Sequence, residues 1–244
     1  MKKIGILGYG EIGSSLEKCY LGKEFKVFIK DLDRDDGFLN LDVLNICIPF
    51  LDIPSFTDAV IKEIDIANPK LTIIHSTVVP TTTKGLIGQC PDRKIVHSPV
   101  RGIHPNLLSG LKTFVKYIGA EDKEAASLCE EHYKELGIKS QIFKSSVNSE
   151  LAKVLSTTYY GLCIAFHGEI DKLCKKFDAT FDEVATEWNN TYNEGYTKLG
   201  IPNFVRPVLY PPGKKIGGHC VIPNTELVEE FFQSKALELI LEYK

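Results

Sequence analysis

The sequence predicts an α/β protein in which a mostly parallel sheet, with helices on its faces, precedes an all-helical domain. Two observations support this class. Over about the first 145 residues, short β-rich runs alternate with helical patterns, which is typical of parallel sheets covered by helices. After Val147 the β-rich runs stop and apolar residues recur at near-helical spacing. We place the boundary at residue 146, with a sheet domain over 1–146 and a helical domain over 147–244.

The strands are predicted from short runs rich in β-branched and aromatic residues. These runs lie at 3–7, 26–29, 43–48, 71–75, 95–97, 114–118 and 140–143. Helices are predicted between some of them, where apolar residues follow a helical period. They cover 11–21, 55–64 and 123–136.

Three helices are predicted in the second part of the chain. The first covers 150–176, where no proline interrupts the apolar pattern. The second covers 180–199, with Thr180 as its N-cap. The third covers 224–243, and Asn224 is expected to cap it. A connection rich in proline and glycine, 202–223, separates the last two helices.

The composition restricts the function classes. The 244 residues are 43% hydrophobic and 25% charged with a net charge of -3, which gives no reason to expect nucleic acid or an anionic membrane as a partner. No apolar segment approaches the roughly 20 residues that span a bilayer, and Gly8 interrupts the N-terminal apolar run too early for a signal peptide. The seven cysteines are scattered and odd in number, which favours free thiols in a reducing cytoplasm.

The glycines at 8, 10 and 13 follow the first predicted strand and open the first helix. In a strand-turn-helix unit, this G-x-G-x-x-G spacing indicates a dinucleotide site on a Rossmann-type sheet. The first glycine permits the turn, the second lets the backbone approach the pyrophosphate, and the third lets the helix pack on the strand. We therefore expect NAD to bind at Gly8, Gly10, Glu11, Ile12 and Gly13. The simpler interpretation is a glycine-rich turn without a ligand.

Asp31 ends the second predicted strand, 18 residues after Gly13. A carboxylate there accepts a hydrogen bond from a ribose hydroxyl and repels a 2′-phosphate, so it favours NAD over NADP. Arg34 is an opposing signal, because its guanidinium could face such a phosphate. A solvated loop acid is the simpler interpretation of Asp31.

Cys220 follows Gly217, Gly218 and His219 in a loop that precedes the last predicted helix. Glycines let backbone or substrate approach closely, and the nearby cationic side chains, which include the lysines at 214 and 215, favour a thiolate. Cysteine is also a common buried apolar residue, so an inert thiol is the alternative. Together with the dinucleotide motif, the pattern favours a reactive cysteine.

Five stretches of the chain resemble the UDP-glucose/GDP-mannose dehydrogenase family. They are the glycine loop at 8–13, the Ser-Thr-Val segment at 76–83, the His-Ser-Pro-Val-Arg segment at 97–101, the helix start at 150–153 and the Gly-Gly-His-Cys motif at 217–223. Their order and rough spacing hold from residue 4 to about 230. The cysteine motif is the most specific of the five.

The resemblance implies a reaction in which a sugar C6 alcohol is oxidised twice with two NAD, and a cysteine captures the aldehyde as a thiohemiacetal. It assigns that nucleophile to Cys220. It gives Lys153 the role of holding or polarising the substrate oxygen. Thr77 would approach the nicotinamide or the substrate, and Asn224 stands at a catalytic position of the family. Further cofactor contacts are expected at Pro49, Ser76 and Thr77.

The chain departs from the family pattern at several positions. Thr157 stands where the family has an asparagine one turn after the lysine, Asn224 where it has an aspartate, and Val100 where it has a glutamate. Asn224 cannot act as a general base. His104 lies about where a further glutamate is found, either as a substitute acid/base or as a loop histidine. The family's C-terminal nucleotide-sugar domain is expected to be absent, which would weaken binding of a nucleotide-sugar and favour a smaller substrate, a completing partner or NAD binding alone.

The leading hypothesis is an NAD-dependent dehydrogenase acting on a sugar or sugar-nucleotide-like substrate. A single-step enzyme resembling the β-hydroxyacid and 6-phosphogluconate dehydrogenases would share both domains and the helix-borne lysine, but it leaves Cys220 unexplained. An NAD-binding protein with an eroded site would explain Val100, Thr157 and Asn224. No histidine or cysteine pair has zinc-ligand spacing, so no metal is expected, and Ser-His-Asp catalysis has no local signature.

The resemblance also implies a homodimer formed through the helical domain. Apolar residues on the last predicted helix could cover either the core or a partner. They are Phe231, Phe232, Leu237 and Ile240.

Overall fold

The computed structural model describes residues 1–103 and 105–244. The chain divides into two compact units, Met1–Lys153 and Val154–Lys244. The division falls inside a long helix, a little after residue 146, where the sequence pattern changes. The functional roles expected for the two parts remain predictions.

The described part of the first unit contains a sheet of eight strands. Their bounds are β1 (Lys2–Leu7), β2 (Phe25–Asp31), β3 (Arg34–Asp35), β4 (Val43–Ile46), β5 (Leu71–Ile74), β6 (Ile95–His97), β7 (Lys116–Gly119) and β8 (Ser140–Phe143). Across the sheet the order is β3-β2-β1-β4-β5-β6-β7-β8. Neighbouring strands are parallel except β2 with β3 and β6 with β7. The predicted α/β class with a mostly parallel, Rossmann-type sheet is confirmed, and each predicted strand has its counterpart.

Helices connect most of these strands. Their bounds are α1 (Glu11–Tyr20), α2 (Ile53–Ala67), α3 (Thr82–Gln89), α4 (Leu107–Thr113) and α5 (Lys123–Leu136). The predicted helices correspond to α1, α2 and α5. Asp52 caps α2 by accepting a hydrogen bond from Ser55 N–H at 2.8 Å, so this helix begins before the predicted position. The sequence analysis missed α3 and α4, which are short and contain glycine, a residue of low helix propensity.

The helices cover both faces of the sheet, because its central strands carry apolar residues on both sides. All four residues of β4 and of β5 are buried. One apolar cluster joins β1 to α1 and α5, through residues such as Leu16 and Cys129. A second cluster joins β4 to α2 and α3, through residues such as Val60 and Leu86. The carboxyl ends of β1, β4 and β5 therefore stand side by side at one edge of a packed sheet.

The second unit is helical. Its elements are the greater part of α6 (Ser146–Lys176), a π-helical segment (Asp182–Glu187), α7 (Trp188–Lys198), α8 (Val221–Glu229) and α9 (Lys235–Leu241). The single helix predicted over 224–243 is wrong, since Ser234 starts α9 separately by accepting from Leu237 N–H at 3.4 Å. In the described parts of the chain, no helix has both the length and the apolar character needed to cross a membrane.

Candidate functional site

The three glycines at the turn from β1 into α1 have different surroundings, with Gly8 and Gly10 before the helix and Gly13 in its first turn. Gly8 has φ +89°, and a Cβ there would lie 2.8 Å from the carbonyl carbon of Cys47. A Cβ on Gly13 would lie 2.0 Å from Gly8 O, so α1 can cross this turn only with a glycine at that position. A Cβ on Gly10 would meet nothing within 4 Å. The first and third glycines are thus required by the protein itself, and the second borders open space.

Helix α1 begins immediately after this open position. Gly10 is its N-cap residue and makes no side-chain cap hydrogen bond. Glu11 is exposed in the first turn, and Ile12 is partly buried against the core. Because the first-turn amides of a helix lack partners within it, they attract an anion, which is the arrangement expected for a pyrophosphate.

Asp31 is held against the glycine loop. Its carboxylate accepts a hydrogen bond from Tyr9 N–H and another, at 2.6 Å, from Leu32 N–H. The residue is exposed at the carboxyl end of β2. Since a carboxylate has about four acceptor positions, Asp31 retains the capacity to accept from ribose hydroxyls.

The loops after β4 and β5 are bonded to each other. Ser76 Oγ donates to Ile48 O at 2.6 Å and is only 3% exposed, so in this structure its hydroxyl serves the backbone. Pro49 follows Ile48 and is exposed, and Thr77 is partly buried. The predicted contacts Pro49, Ser76 and Thr77 thus share the sheet edge that bears the glycine loop.

The first turns of α6 are fixed by the loops at the same edge. The Glu150 carboxylate is fully buried and accepts from Thr81 N–H at 2.7 Å and Thr83 N–H at 2.8 Å. Burial raises the pKa of Glu150, and the two backbone amides partly offset that effect. One turn later, Lys153 Nζ donates to Val100 O at 2.9 Å. The position of Lys153 therefore follows from two loops of the sheet unit.

A buried lysine supports the loop that binds Lys153. Lys116 is 2% exposed, and its ammonium donates to Ser98 O at 2.5 Å and Pro99 O at 3.0 Å. His75 Nδ1 lies 3.2 Å from the same nitrogen. These acceptors match the three hydrogens of an ammonium group. Burial nevertheless lowers the pKa of Lys116 to about 7.

The hydrogen-bond pattern fixes the tautomer of His75. Asn45 Nδ2 donates to Gly5 O at 3.1 Å, so its Oδ1 faces His75 Nε2 at 2.9 Å. His75 Nε2 must then carry the hydrogen, which leaves Nδ1 to accept from Lys116. Burial keeps the pKa of His75 well below its usual value, so the ring is neutral.

His97 ties β6 to α6. Its Nδ1 lies 2.7 Å from Ser149 Oγ, and its Nε2 lies 3.2 Å from Ser76 O. Burial lowers the pKa of His97 to about 3, so this ring is also neutral. Among the described residues, no group of three or more His, Cys, Asp or Glu side chains is placed to hold a metal ion.

In the helical unit, Cys220 occupies the N-cap position of α8 and is partly buried. Gly217 and Gly218 precede it, and a Cβ on either would meet nothing within 4 Å. Gly218 has φ +89°, the left-handed conformation that favours glycine. The predicted cationic neighbours are the exposed Lys214, Lys215 and His219.

The expectation that Asn224 caps a helix is wrong. Asn224 lies inside α8, one turn after Cys220, and is 7% exposed. Its Nδ2 donates to Thr157 Oγ1 at 2.8 Å, and that hydroxyl donates to Val154 O at 2.9 Å. Two of the departures from the family pattern, Thr157 and Asn224, therefore bond to each other and fasten α8 to α6.

The remaining departures have different outcomes. Val100 is buried and contributes a backbone carbonyl, which Lys153 uses. His104 lies outside the described residues. Sequence reasoning missed the structural roles of Glu150 and Lys116. For Lys116 the available signal was a lysine at the start of the apolar strand β7.

No protein-family model matches the chain. It is 28% identical over 154 residues to UDP-N-acetyl-D-mannosamine dehydrogenase of Methanococcus maripaludis strain S2, which covers 62% of this chain and 33% of that protein. A protein of the same name from M. maripaludis strain C7 is 25% identical over 78% of this chain and 40% of its own length. The chain thus spans about a third to two-fifths of these relatives.

Solved structures share the fold. UDP-D-ManNAc dehydrogenase from Pyrococcus horikoshii has a TM-score of 0.80 at 19% identity, over 99% of this chain and 68% of that one. The 3-hydroxyisobutyrate dehydrogenase of Mycobacterium tuberculosis has a TM-score of 0.71 at 14% identity, over 98% of this chain and 91% of that one. At these identities the structures show a common fold. The sequence relatives, together with this fold, relate the chain to the UDP-glucose/GDP-mannose dehydrogenase family over the part of those proteins that it spans.

Proposed function

We propose that the chain is an NAD-dependent oxidoreductase acting on the CH–OH group of a sugar or sugar-nucleotide-like substrate, with Cys220 as covalent nucleophile for the aldehyde. The observation that carries the proposal is the glycine loop. A Cβ at position 13 would lie 2.0 Å from Gly8 O, whereas one at position 10 would meet nothing within 4 Å. Backbone packing explains the outer glycines, and an approaching pyrophosphate explains the middle one.

The residues at this edge of the sheet fit NAD. Gly8, Gly10 and the first-turn amides of α1 would hold the pyrophosphate, and Asp31 would accept from ribose hydroxyls. NAD⁺, when bound, supplies the hydride acceptor. The matched proteins named as UDP-N-acetyl-D-mannosamine dehydrogenases support a sugar-nucleotide as the substrate class.

The chain's own residues supply the remaining chemistry. Lys153 presents a cation that stabilises the substrate oxygen as it loses its proton. Cys220 Sγ adds to the aldehyde carbon, and the carbonyl oxygen takes up a proton to give a thiohemiacetal. This bond retains the aldehyde for a second oxidation to a thioester, which water hydrolyses to the acid and the free thiol. Thr77 contributes a hydroxyl near the reacting groups, and Asn224 positions α8 through its bond to Thr157.

The test is a spectrophotometric screen for NADH formation with nucleotide sugars, sugar phosphates and free sugars, run on the wild type beside Cys220→Ala. With an accepted substrate the wild type forms two NADH for each acid produced. Because the variant lacks the capturing thiol, we expect its acid formation to fall about 100-fold or more while alcohol oxidation persists.

Cys90→Ala is the matched control, since Cys90 is another partly buried free thiol and has no proposed role. It should leave acid formation unchanged. Undiminished acid formation in Cys220→Ala would refute the covalent role of that cysteine. We also propose that the protein works in a reducing cytoplasm, as the odd number and scattered spacing of its seven cysteines predict.

A second candidate function is NAD binding without turnover. Two observations favour it. Asn224 and Thr157 are uncharged side chains that hydrogen-bond to each other, and Val100 is buried and apolar. None of these side chains can act as a general base. NAD binding with no NADH formed from any sugar would support this candidate. One NADH per product, unaffected by Cys220→Ala, would instead support a single-step dehydrogenase.

We also propose a homodimer formed through α6. Leu237 and Ile240 are buried within the helical unit, so the apolar face of α9 is already covered. By contrast, α6 exposes Tyr159, Phe166 and Leu173 at 64%, 57% and 55%, and their spacing of seven residues places them on one stripe. Phe231 and Phe232 are also exposed.

The groove beside this stripe adds to the apolar surface. It has a volume of about 520 Å³ and is lined mainly by side chains of α6, together with Asn189, Arg206 and Pro207. His167 lies in it with a buried Nε2 that has no hydrogen-bond partner among the described residues. Light scattering should give a dimer mass for the wild type and a monomer mass for Phe166→Glu, whereas the exposed Leu51→Glu in the sheet unit should remain dimeric.

A further inference from the structure

The short strand β3 places a cation directly beside the expected ribose site. In the β2-β3 hairpin, Asp31 pairs with Arg34. The guanidinium carbon of Arg34 lies 5.7 Å from the centre of the Tyr9 ring. Tyr9 N–H donates to Asp31, so the ring, the carboxylate and the guanidinium form one corner of the glycine loop. A guanidinium at this corner could bind a 2′-phosphate, which is the group that distinguishes NADP from NAD.

Asp36 occupies the hydrogen-bonding fork of Arg34. Arg34 Nε donates to Asp36 Oδ1 at 3.0 Å, and Arg34 Nη2 donates to Asp36 Oδ2 at 2.8 Å. The pair is bidentate, which is the geometry in which arginine also binds a phosphate. A phosphate and the Asp36 carboxylate would therefore compete for the same two donors.

The carboxylate of Asp36 is itself fixed. Ile29 N–H donates to its Oδ2 at 2.9 Å, so the backbone of β2 determines where the carboxylate lies. The hydrogen bonds from Arg34 and from this amide hold the pKa of Asp36 below its usual value. Because the Asp36 carboxylate is held in place, Arg34 can move toward a ligand only by breaking its pair with Asp36.

The negative charge around Arg34 also disfavours a 2′-phosphate at this corner. Four carboxylates lie within six consecutive positions, at Asp31, Asp33, Asp35 and Asp36. Asp35 has a cationic partner, Lys30, at 3.4 Å. A dianionic phosphate at this corner would face uncompensated negative charge, whereas a ribose 2′-hydroxyl can donate to Asp31.

We propose that Asp36 is a specificity-determining residue, which holds Arg34 in a bidentate pair and thereby excludes a 2′-phosphate, so that the site takes NAD and rejects NADP. The inference rests on the proposed function, because it presupposes a dinucleotide at the glycine loop. It assigns to Asp36 a role distinct from that of Asp31. Asp31 accepts a hydrogen bond from the ribose 2′-hydroxyl of NAD. Asp36 occupies the donors of the Arg34 guanidinium, which would otherwise bind the 2′-phosphate of NADP.

The experiment measures dissociation constants for NADH and NADPH by cofactor fluorescence in buffer free of phosphate and sulfate. Asp36→Asn keeps an acceptor for Ile29 N–H but removes the charge that holds Arg34. We expect it to lower the ratio of the NADPH to the NADH dissociation constant about tenfold, since charge-assisted bidentate contacts with phosphate are strong even where exposure reduces their net strength.

Two further variants make the result specific. Asp33→Asn removes the same charge from the same corner without touching the fork, and we expect it to change the ratio less than about threefold. Arg34→Ala in the Asp36→Asn background should return the ratio close to that of the wild type. Thermal unfolding of each variant checks that the sheet unit is intact.

The outcomes separate this inference from the proposed function. The inference would be overturned if Asp33→Asn and Asp36→Asn changed the ratio of dissociation constants equally. It would also be overturned if the tighter NADPH binding of Asp36→Asn persisted after Arg34→Ala. In either case, NADH binding by the wild type would still support the dinucleotide site. Preference of the wild type for NADPH would overturn it as well. Failure of the wild type to bind either cofactor would overturn the proposed function and this inference together.

Discussion

Two loops of the molecule combine glycines with a residue at φ +89°, Gly8 in one and Gly218 in the other, yet their surroundings are opposite. In the first loop, added Cβ atoms at Gly8 and Gly13 would meet backbone at 2.8 and 2.0 Å. In the second loop, Cβ atoms at Gly217 and Gly218 would meet nothing within 4 Å. The glycine loop after β1 is packed closely against its own sheet at Gly8 and Gly13, and the cysteine loop is not packed in this way at Gly217 and Gly218.

The difference separates two reasons for which a sequence carries glycine. At Gly13 the fold alone excludes a side chain, so this residue would be required even in a protein with no ligand. At Gly217 no atom of the described residues lies within 4 Å of an added Cβ, so packing of these residues does not require glycine there. A substrate approaching the Cys220 loop is the reason that the proposed function supplies. Single substitutions at these glycines test the difference between the two loops.

The largest effect is expected for Gly13→Ala. Its Cβ would lie 2.0 Å from a backbone oxygen, which no side-chain rotation can relieve. We expect a loss of about 3 kcal/mol or more in the free energy of unfolding, or failure to fold. Urea denaturation followed by far-ultraviolet circular dichroism measures it.

Gly10→Ala is the control for that substitution. The same side chain is added to the same loop, but in open space, so its stability should stay within about 0.5 kcal/mol of the wild type. It should nonetheless weaken NADH binding, because the proposed pyrophosphate site lies there. Equal destabilisation by the two substitutions would contradict the distinction between them.

The next effect concerns Lys116, a buried lysine of the sheet unit. Its pKa is about 7 in the folded protein and about 10.5 when exposed, so between these values the unfolded chain binds a proton that the folded chain lacks. The free energy of unfolding contributed by this group should therefore rise with pH from about 7 to about 10.5, by up to about 1.4 kcal/mol per pH unit.

Urea denaturation from pH 6 to pH 9 on the wild type and on Lys116→Met tests this dependence. As pH rises, the free energy of unfolding of the wild type should increase relative to that of Lys116→Met. Lys112→Met removes an exposed lysine of α4 and should give a curve parallel to that of the wild type. A curve for Lys116→Met that is parallel as well would show that Lys116 does not titrate in this range.

The smallest effect on stability is expected for Gly217→Ala. Its Cβ meets no protein atom within 4 Å, so the free energy of unfolding should change by less than about 0.5 kcal/mol. If a substrate uses this space, turnover should fall while NADH binding stays unchanged. Normal turnover in this variant would remove the ligand-based explanation of Gly217 and leave the two loops without a functional contrast.

Periodicity predicted the sheet well because its strands carry strong apolar patterns. All four residues of β4 and of β5 are buried, and their runs are bounded by loops. The same rule could not detect β3, two charged residues that form a strand only because Arg34 pairs with Asp31 across a turn. The short α3 could not be detected for a similar reason. The amides of Thr81 and Thr83 at its start donate to the carboxylate of Glu150, which lies far along the chain.

The candidate site was predictable where its residues act locally. The glycine spacing and the place of Asp31 are local, and their geometry agrees with the expected loop. The partner of Asn224 was not predictable, because Thr157 lies 67 positions away and nothing in the sequence pairs them. Lysines are rarely buried, so the position of Lys116 at the start of an apolar strand was only a weak signal, and its partners, the carbonyls of Ser98 and Pro99, were not predictable from the sequence.

Glu150 connects two segments that lie far apart in the sequence. Its carboxylate accepts hydrogen bonds from the segment just beyond Thr77, and the next turn of the same helix carries Lys153. One interior acid therefore couples the segment after Thr77 to the helix turn that bears Lys153, so a displacement of either would be transmitted to the other.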